Sequence, residues 1–446
     1  MMSLLAVGTL FRPAVALAGV FCLYGIEQWG ASNSFFFSAN HRLTNIITGL
    51  VVLEGLAVKL FRGQLHLKEY PRAGWLFLAL YAVAGLSVFW SIYPEATIER
   101  MASMWPYVVL SGLLAPLLIS GPSDLRAAFL ATLALGSLTV ALLLFDAQWN
   151  VYQRIVVEGI SRATDAGQTN PLAIAQMAGY VVIIAVLMNF RGVARFWQLA
   201  RWGIVALALA LIFKAGSRGQ LFGAVIAVLA FLPISRRIRN IQGFIATSVG
   251  VVLVAGLAHW AYGHFALERR WDLEVMTTAV QGGRIGPAMQ LLGAWLESNP
   301  LHWLVGLGSS ASFDPQIIGF YPHMVPLEIL GEEGLLGFGI FLAFLAVTIN
   351  SFRRMRPVLG EDPELRGLLA VLAALFAYEF ILMCKQGCLM GDASVFCFAI
   401  MLGRLELSLR RHAAETLPLE YYDPEGNGYP EYPVYADRCY FPGSTG

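Results

Sequence analysis

Apolar runs of about 17–25 residues recur along almost the whole chain, and each reads as a helix long enough to cross the hydrocarbon core of a bilayer. They lie near 4–25, 43–60, 74–91, 104–120, 126–145, 172–190, 200–214, 219–234, 242–260, 324–350, 366–384 and 391–409. The expected fold is therefore all-α, a polytopic integral membrane protein of about twelve transmembrane helices occupying 1–416. Composition agrees, because only 13% of the 446 residues are charged, against about 25% in a soluble domain. A net charge of +1 gives no electrostatic footprint for nucleic acid. The first apolar run has no basic segment ahead of it and is interrupted by Arg12, so it is expected to be a retained span and not a cleaved signal.

The connections alternate in charge. Arg62, Lys68 and Arg72, then Arg191, Arg195 and Arg201, then Arg236, Arg237 and Arg239, then Arg353, Arg354 and Arg356, then Arg410 and Arg411 all fall on one side. By the positive-inside rule that side is cytoplasmic, which places both termini inside. The two long connections, about 146–171 and about 261–321, then face out, and loops of that length in a compact protein are usually functional. Within the second, RIGPAMQLLGAW from Arg284 has apolar residues at helical spacing, so a short helix on the membrane surface is expected. From 417 to 446 the chain is rich in Tyr, Pro and Gly without apolar periodicity, a disordered cytoplasmic tail. Its tyrosines are candidate docking sites, against the plainer reading of a solvated extension.

The densest chemistry is in Phe320–Asn350, where His323, two prolines and Gly-Glu-Glu-Gly run directly into an apolar helix. The apolar part, 335–349, spans roughly 22 Å as helix, less than a core of roughly 30 Å. Glu332 and Glu333 are thus drawn to the membrane edge, where carboxylates are costly unless they face protein or water. His323 is a candidate general base, since imidazole titrates near neutral pH; a structural histidine at a helix start is the alternative. Arg218 and Lys214, in KAGSRGQ, stand at an outer hairpin against the charge bias. A guanidinium donates two parallel hydrogen bonds to phosphate, while snorkelling to lipid headgroups is the competing explanation. Arg284, between glycines, is a second candidate phosphate ligand or an exposed loop arginine. Glu54, Glu379 and Arg404 fall inside runs and either pair structurally or line a path. The five cysteines form no CxxC pair, and no P-loop, HExxH or GxSxG is present, so neither a metal nor a nucleotide cofactor is expected. GLGSS at 306–310 follows no βαβ strand and is not a dinucleotide loop.

Ser217-Arg218-Gly219 opening a helix, Arg284 followed by NPLHWLVGLGSS, and His323 followed after Met324 and nine residues by Gly334-Leu335-Leu336-Gly337 together resemble the O-antigen ligase and polymerase superfamily of bacterial inner-membrane glycosyltransferases. The resemblance covers about 212–349; Met324 stands where ligases carry Asn, Ser or Gln. It implies a glycan donor on undecaprenyl diphosphate at the periplasmic face and inversion at the anomeric centre. The acceptor is lipid A–core in a ligase or another glycan in an exopolysaccharide or O-antigen polymerase. Arg218 and Arg284 would hold the diphosphate, with Lys214 beside them, and His323 would orient or deprotonate the acceptor, supported by Glu332 or Glu333. A secondary transporter is the alternative from another class; it would predict helices broken at midplane and repeat symmetry. An envelope-assembly scaffold without catalysis is the third reading.

Overall fold

The computed structural model describes residues 1–40, 42–65, 70–151, 155–157, 170–190, 195–236, 285–359 and 362–416, with isolated positions at 242, 245, 249 and 256; at 150, 151, 155–157, 195–199, 358 and 414–416 only the backbone is described. Most of the expected span 242–260, residues 261–284 of the 261–321 connection (Arg284 among them) and the 417–446 tail lie outside these residues.

The described chain is helical apart from one short antiparallel pair, Trp149–Val151 with Ile155–Val157. Among the described residues, eight helices are long and apolar enough to cross a membrane: Pro13–Asn33, Arg42–Phe61, Arg72–Phe89, Pro94–Leu118, Pro122–Phe145, Arg218–Arg236, Val325–Pro357 and Pro363–Met383. The protein is thus an α-helical, polytopic, membrane-embedded one.

Three expected runs differ in form. The run expected at 4–25 is two helices, α1 (Met2–Phe11) and α2 (Ala16–Asn33). Arg12 is extended (φ −134°, ψ 89°), because the ring of Pro13 excludes the helical region for the residue before it. Leu5 packs at Gly19 and Thr9 at Gly55, so α1 folds back along α2 and α4 (Arg42–Phe61). The run expected at 104–120 begins ten residues earlier, at Pro94 of α6 (Pro94–Tyr107). It continues as a π segment (Val108–Leu114) and a 3-10 turn (Ala115–Leu118), the departure following Pro106, whose missing N–H breaks the regular ladder. The third is the helix Val325–Val358, broken at Gly334 (φ 65°, ψ −165°).

The centre of the bundle is α8 (Pro171–Leu187), after α7 (Pro122–Phe145). Every α8 side chain except Leu172 and Gln176 is buried, as expected of a helix that is apolar all round. It packs against α2, α7, α9 (Arg195–Lys214) and α10 (Arg218–Arg236), and α10 runs along α14 (Pro363–Met383). A second cluster joins α5 (Arg72–Leu86), the broken helix and α15 (Ala393–Thr416) through Phe77, Phe341, Phe344 and Phe396.

Hydrogen bonds between helix ends sort the connections into two groups. At one end Lys59 pairs with Asp124 (2.6 Å), Arg62 donates to the Leu10 and Phe11 carbonyls, Arg126 pairs with Glu364 (3.0 Å) and Arg236 donates to Asn189 (2.7 Å). This is the basic end. The connections 87–97, 215–220, 305–325 and 384–392 meet at the other.

Candidate functional site

Three backbone segments build this end. In the first, Asn299 accepts the His302 N–H (3.1 Å) and Pro300 follows, an N-cap and N1 proline that start the short helix α12 (Pro300–Val305). Before it, α11 (Ile285–Leu296) buries Ala288, Leu291 and Trp295, and Leu291 sits against Gly331. The Asn-Pro pair of the motif therefore serves helix geometry.

The second segment, 305–313, is tied to the break in α13 (Val325–Val358). Leu307 N–H donates to the Gly331 carbonyl (3.0 Å) and Gly308 N–H to that of Glu332 (2.9 Å). The interruption at Gly334 leaves those carbonyls without their helical partners, and the loop supplies replacements. Gly306 has φ +82° and Gly308 φ +95°; a Cβ on Gly306 would collide with the Glu332 carbonyl, and one on Gly334 with the Gly306 nitrogen. Gly-x-Gly and Gly334 are required where two backbones cross. Glu332 completes the junction, its buried carboxylate accepting N–H bonds from Ser310 (2.6 Å) and Ser312 (3.0 Å). From the other side Ser87 accepts the Ser309 N–H (2.7 Å), Thr97 donates to the Ser309 carbonyl, and Ile92 N–H donates to the Leu307 carbonyl (3.1 Å).

The third segment, 384–392, joins α14 to α15 and bridges the two halves of the site. Its Leu389 N–H donates to both oxygens of buried Glu328 (3.2 Å) in the first turn of α13. Its Lys385 and Gln386 reach the first turn of α10, where Gln220 donates to Gln386 (2.9 Å).

The sequence-derived candidates occupy these segments as follows. Arg218 is the first residue of α10, half-buried, after a turn in which Gly216 has φ +62°. Lys214 ends α9; its ammonium donates to the Leu144 carbonyl (3.3 Å) and lies 4.7 Å from the Trp149 ring. Those contacts hold the end of α7. His323 is half-buried with φ +61°, a left-handed conformation uncommon outside glycine, and its ring meets that of Tyr321 edge-on at 4.2 Å. Because His323 precedes the helix, helical angles do not relate it to either glutamate. Glu333 is fully buried without a hydrogen-bonded carboxyl oxygen, the Ser309 hydroxyl standing near enough to interact but not seated in a bond. Arg284 immediately precedes α11 and is outside the described residues.

Three contributors were not singled out from sequence. Arg100 lies 3.7 Å over the Phe313 ring, donates to the Cys388 sulfur (3.8 Å), and faces Glu328 and Glu332 electrostatically. Lys385 and Glu328 are the others. Arg100 and Lys385 carried the same signal that marked Arg218, a cation on the side with few basic residues. Glu328 carried none beyond its place before an apolar run. Burial pushes the Cys388 thiol up to about 12, with Glu328 and Asp392 adding to the effect, so it stays protonated at neutral pH.

No family model matches the chain, and no curated protein matches it in sequence. The functional reading therefore rests on the residues and their arrangement.

Proposed function

We propose that the protein is a glycosyltransferase that moves a glycan from undecaprenyl diphosphate to an acceptor hydroxyl, with lipid A–core as the acceptor. The observation that carries the proposal is the meeting of the Arg218 turn and the His323 segment at one end of a membrane-embedded bundle, bridged by 384–392. The opposite end holds Arg62, Arg126 and Arg236. On the positive-inside rule that end is cytoplasmic, and the site faces the periplasm of a bacterial inner membrane. Arg218 and Arg284 hold the diphosphate and stabilise the charge that develops as it leaves. His323 orients the acceptor hydroxyl and takes its proton as the new glycosidic bond forms and the glycosyl–phosphate bond breaks.

Met324 favours a second reading, a polymerase that adds lipid-linked repeat units, since a thioether cannot supply the hydrogen bonds of the amide or hydroxyl found in ligases. The break at Gly334 does not favour a transporter. The apolar run 335–349 after it is roughly 22 Å long as helix, most of a core of roughly 30 Å, so the break falls near one surface and not at midplane.

Glycan analysis of a deletion strain separates the readings. Long polymer stranded on undecaprenyl diphosphate with bare lipid A–core is the expected result. Single repeat units in place of polymer would make the protein a polymerase. An unchanged profile in every fraction would reject glycosyl transfer.

A further inference from the structure

Lys385 extends from the end of α14 across the first turn of α10. Its ammonium donates to the side-chain oxygens of Gln220 (3.2 Å) and Gln386 (2.9 Å), and Gln220 in turn donates to Gln386. These amides fix the position of the ammonium. The lysine stem lies over Gly219: a Cβ there would overlap the last three atoms of the Lys385 side chain. Gly219 thus has a steric role, as it admits a lysine from another helix onto the residue next to Arg218. Lys385 is half-buried, so the head remains within reach of a ligand at that surface.

We infer that Lys385 is a further diphosphate ligand, seated beside Arg218 by Gln220, Gln386 and the bare face of Gly219. This rests on the donor reading above and deepens it. A planar guanidinium and a compact ammonium are complementary in grip: the first fixes two oxygens of one phosphate in a plane, the second acts as a point charge with three rotatable donors. A diphosphate presents two phosphates, and a monophosphate would engage only part of the set.

The test measures binding of farnesyl diphosphate, farnesyl monophosphate and farnesol to the purified full chain in detergent. Wild type should prefer the diphosphate. Lys385→Gln should weaken diphosphate binding about tenfold or more, the range expected for loss of one charge-assisted bond, and leave farnesol binding unchanged. Lys385→Arg should recover most of the loss, and Gly219→Ala, which displaces the ammonium, should reproduce Lys385→Gln. Diphosphate binding within twofold of wild type in Lys385→Gln, alongside a loss in Arg218→Gln, would overturn the role of Lys385 and leave the donor reading standing. Parallel loss of farnesol and diphosphate binding would make Lys385 structural and overturn the inference equally. A wild type that binds farnesyl diphosphate no better than farnesol would remove the donor reading itself.

Discussion

The crossing of the 305–313 loop over the break in α13 predicts a large, local effect for Gly306→Ala. Alanine at φ +82°, ψ 174°, a region open essentially to glycine alone, costs about 1–3 kcal/mol in backbone conformation. Its Cβ would meet the Glu332 carbonyl and Glu333 nitrogen, so the two backbones must separate. Separation breaks Leu307 N–H to Gly331 and Gly308 N–H to Glu332, each contributing about 0.5–1.5 kcal/mol. The total is about 2–6 kcal/mol, confined to a junction that can open while the helices remain in place. Hydrogen exchange of the 305–313 amides reads this directly: exchange through local opening should accelerate at least about thirtyfold. Gly293→Ala is the control, because a Cβ there meets nothing within 4 Å and alanine favours its helix. Exchange in Gly306→Ala within threefold of wild type would refute the reasoning, since the junction would then tolerate a side chain where none fits.

Three shorter predictions follow from the same geometry. Glu333 is buried without a hydrogen-bonded oxygen, so Glu333→Gln should leave thermal stability intact or raised while lowering transfer at least about tenfold if the carboxylate supports His323; lost stability with normal transfer would make it a structural group. The raised Cys388 value means the folded thiol stays neutral up to about pH 12, whereas the unfolded thiol ionises near its ordinary value of 9.0. The stabilisation from the neutral thiol is complete below pH 9 and is lost as the pH rises from 9 to about 12, so maleimide at pH 8, mapped by mass spectrometry, should modify half-buried Cys388 at least about tenfold more slowly in the folded than in the denatured protein; equal rates would contradict the raised value. Met324→Asn should not reduce transfer if this position merely positions the acceptor, and a complete loss would show that the site uses it differently.

Much of the membrane architecture was legible because length and apolarity are local properties. Helices starting at Pro122, Pro171 and Pro363 match apolar runs read directly from the chain. What escaped was set by contacts between distant segments. The fold-back of α1 depends on Gly19 and Gly55 receiving Leu5 and Thr9, which no run of hydropathy encodes. Glu332 and Glu333 were legible as carboxylates that must face protein or water, and both are buried in protein. That one holds Ser310 and Ser312 while the other is left without a bond follows from how the loop crosses Gly334. Arg100, in α6, and Lys385, in the 384–392 connection, have partners, Phe313 and Gln220, that are more than a hundred residues away in sequence.

The central claim, transfer from a lipid diphosphate at this end of the bundle, is tested most directly by mixing purified protein with a glycan-loaded undecaprenyl diphosphate and an acceptor, and measuring released undecaprenyl diphosphate. Wild type should release it with formation of a new glycosidic bond. Arg218→Ala and Arg284→Ala should each abolish release while remaining inserted in the membrane. No release by wild type, or near-normal release by both variants, would contradict the account.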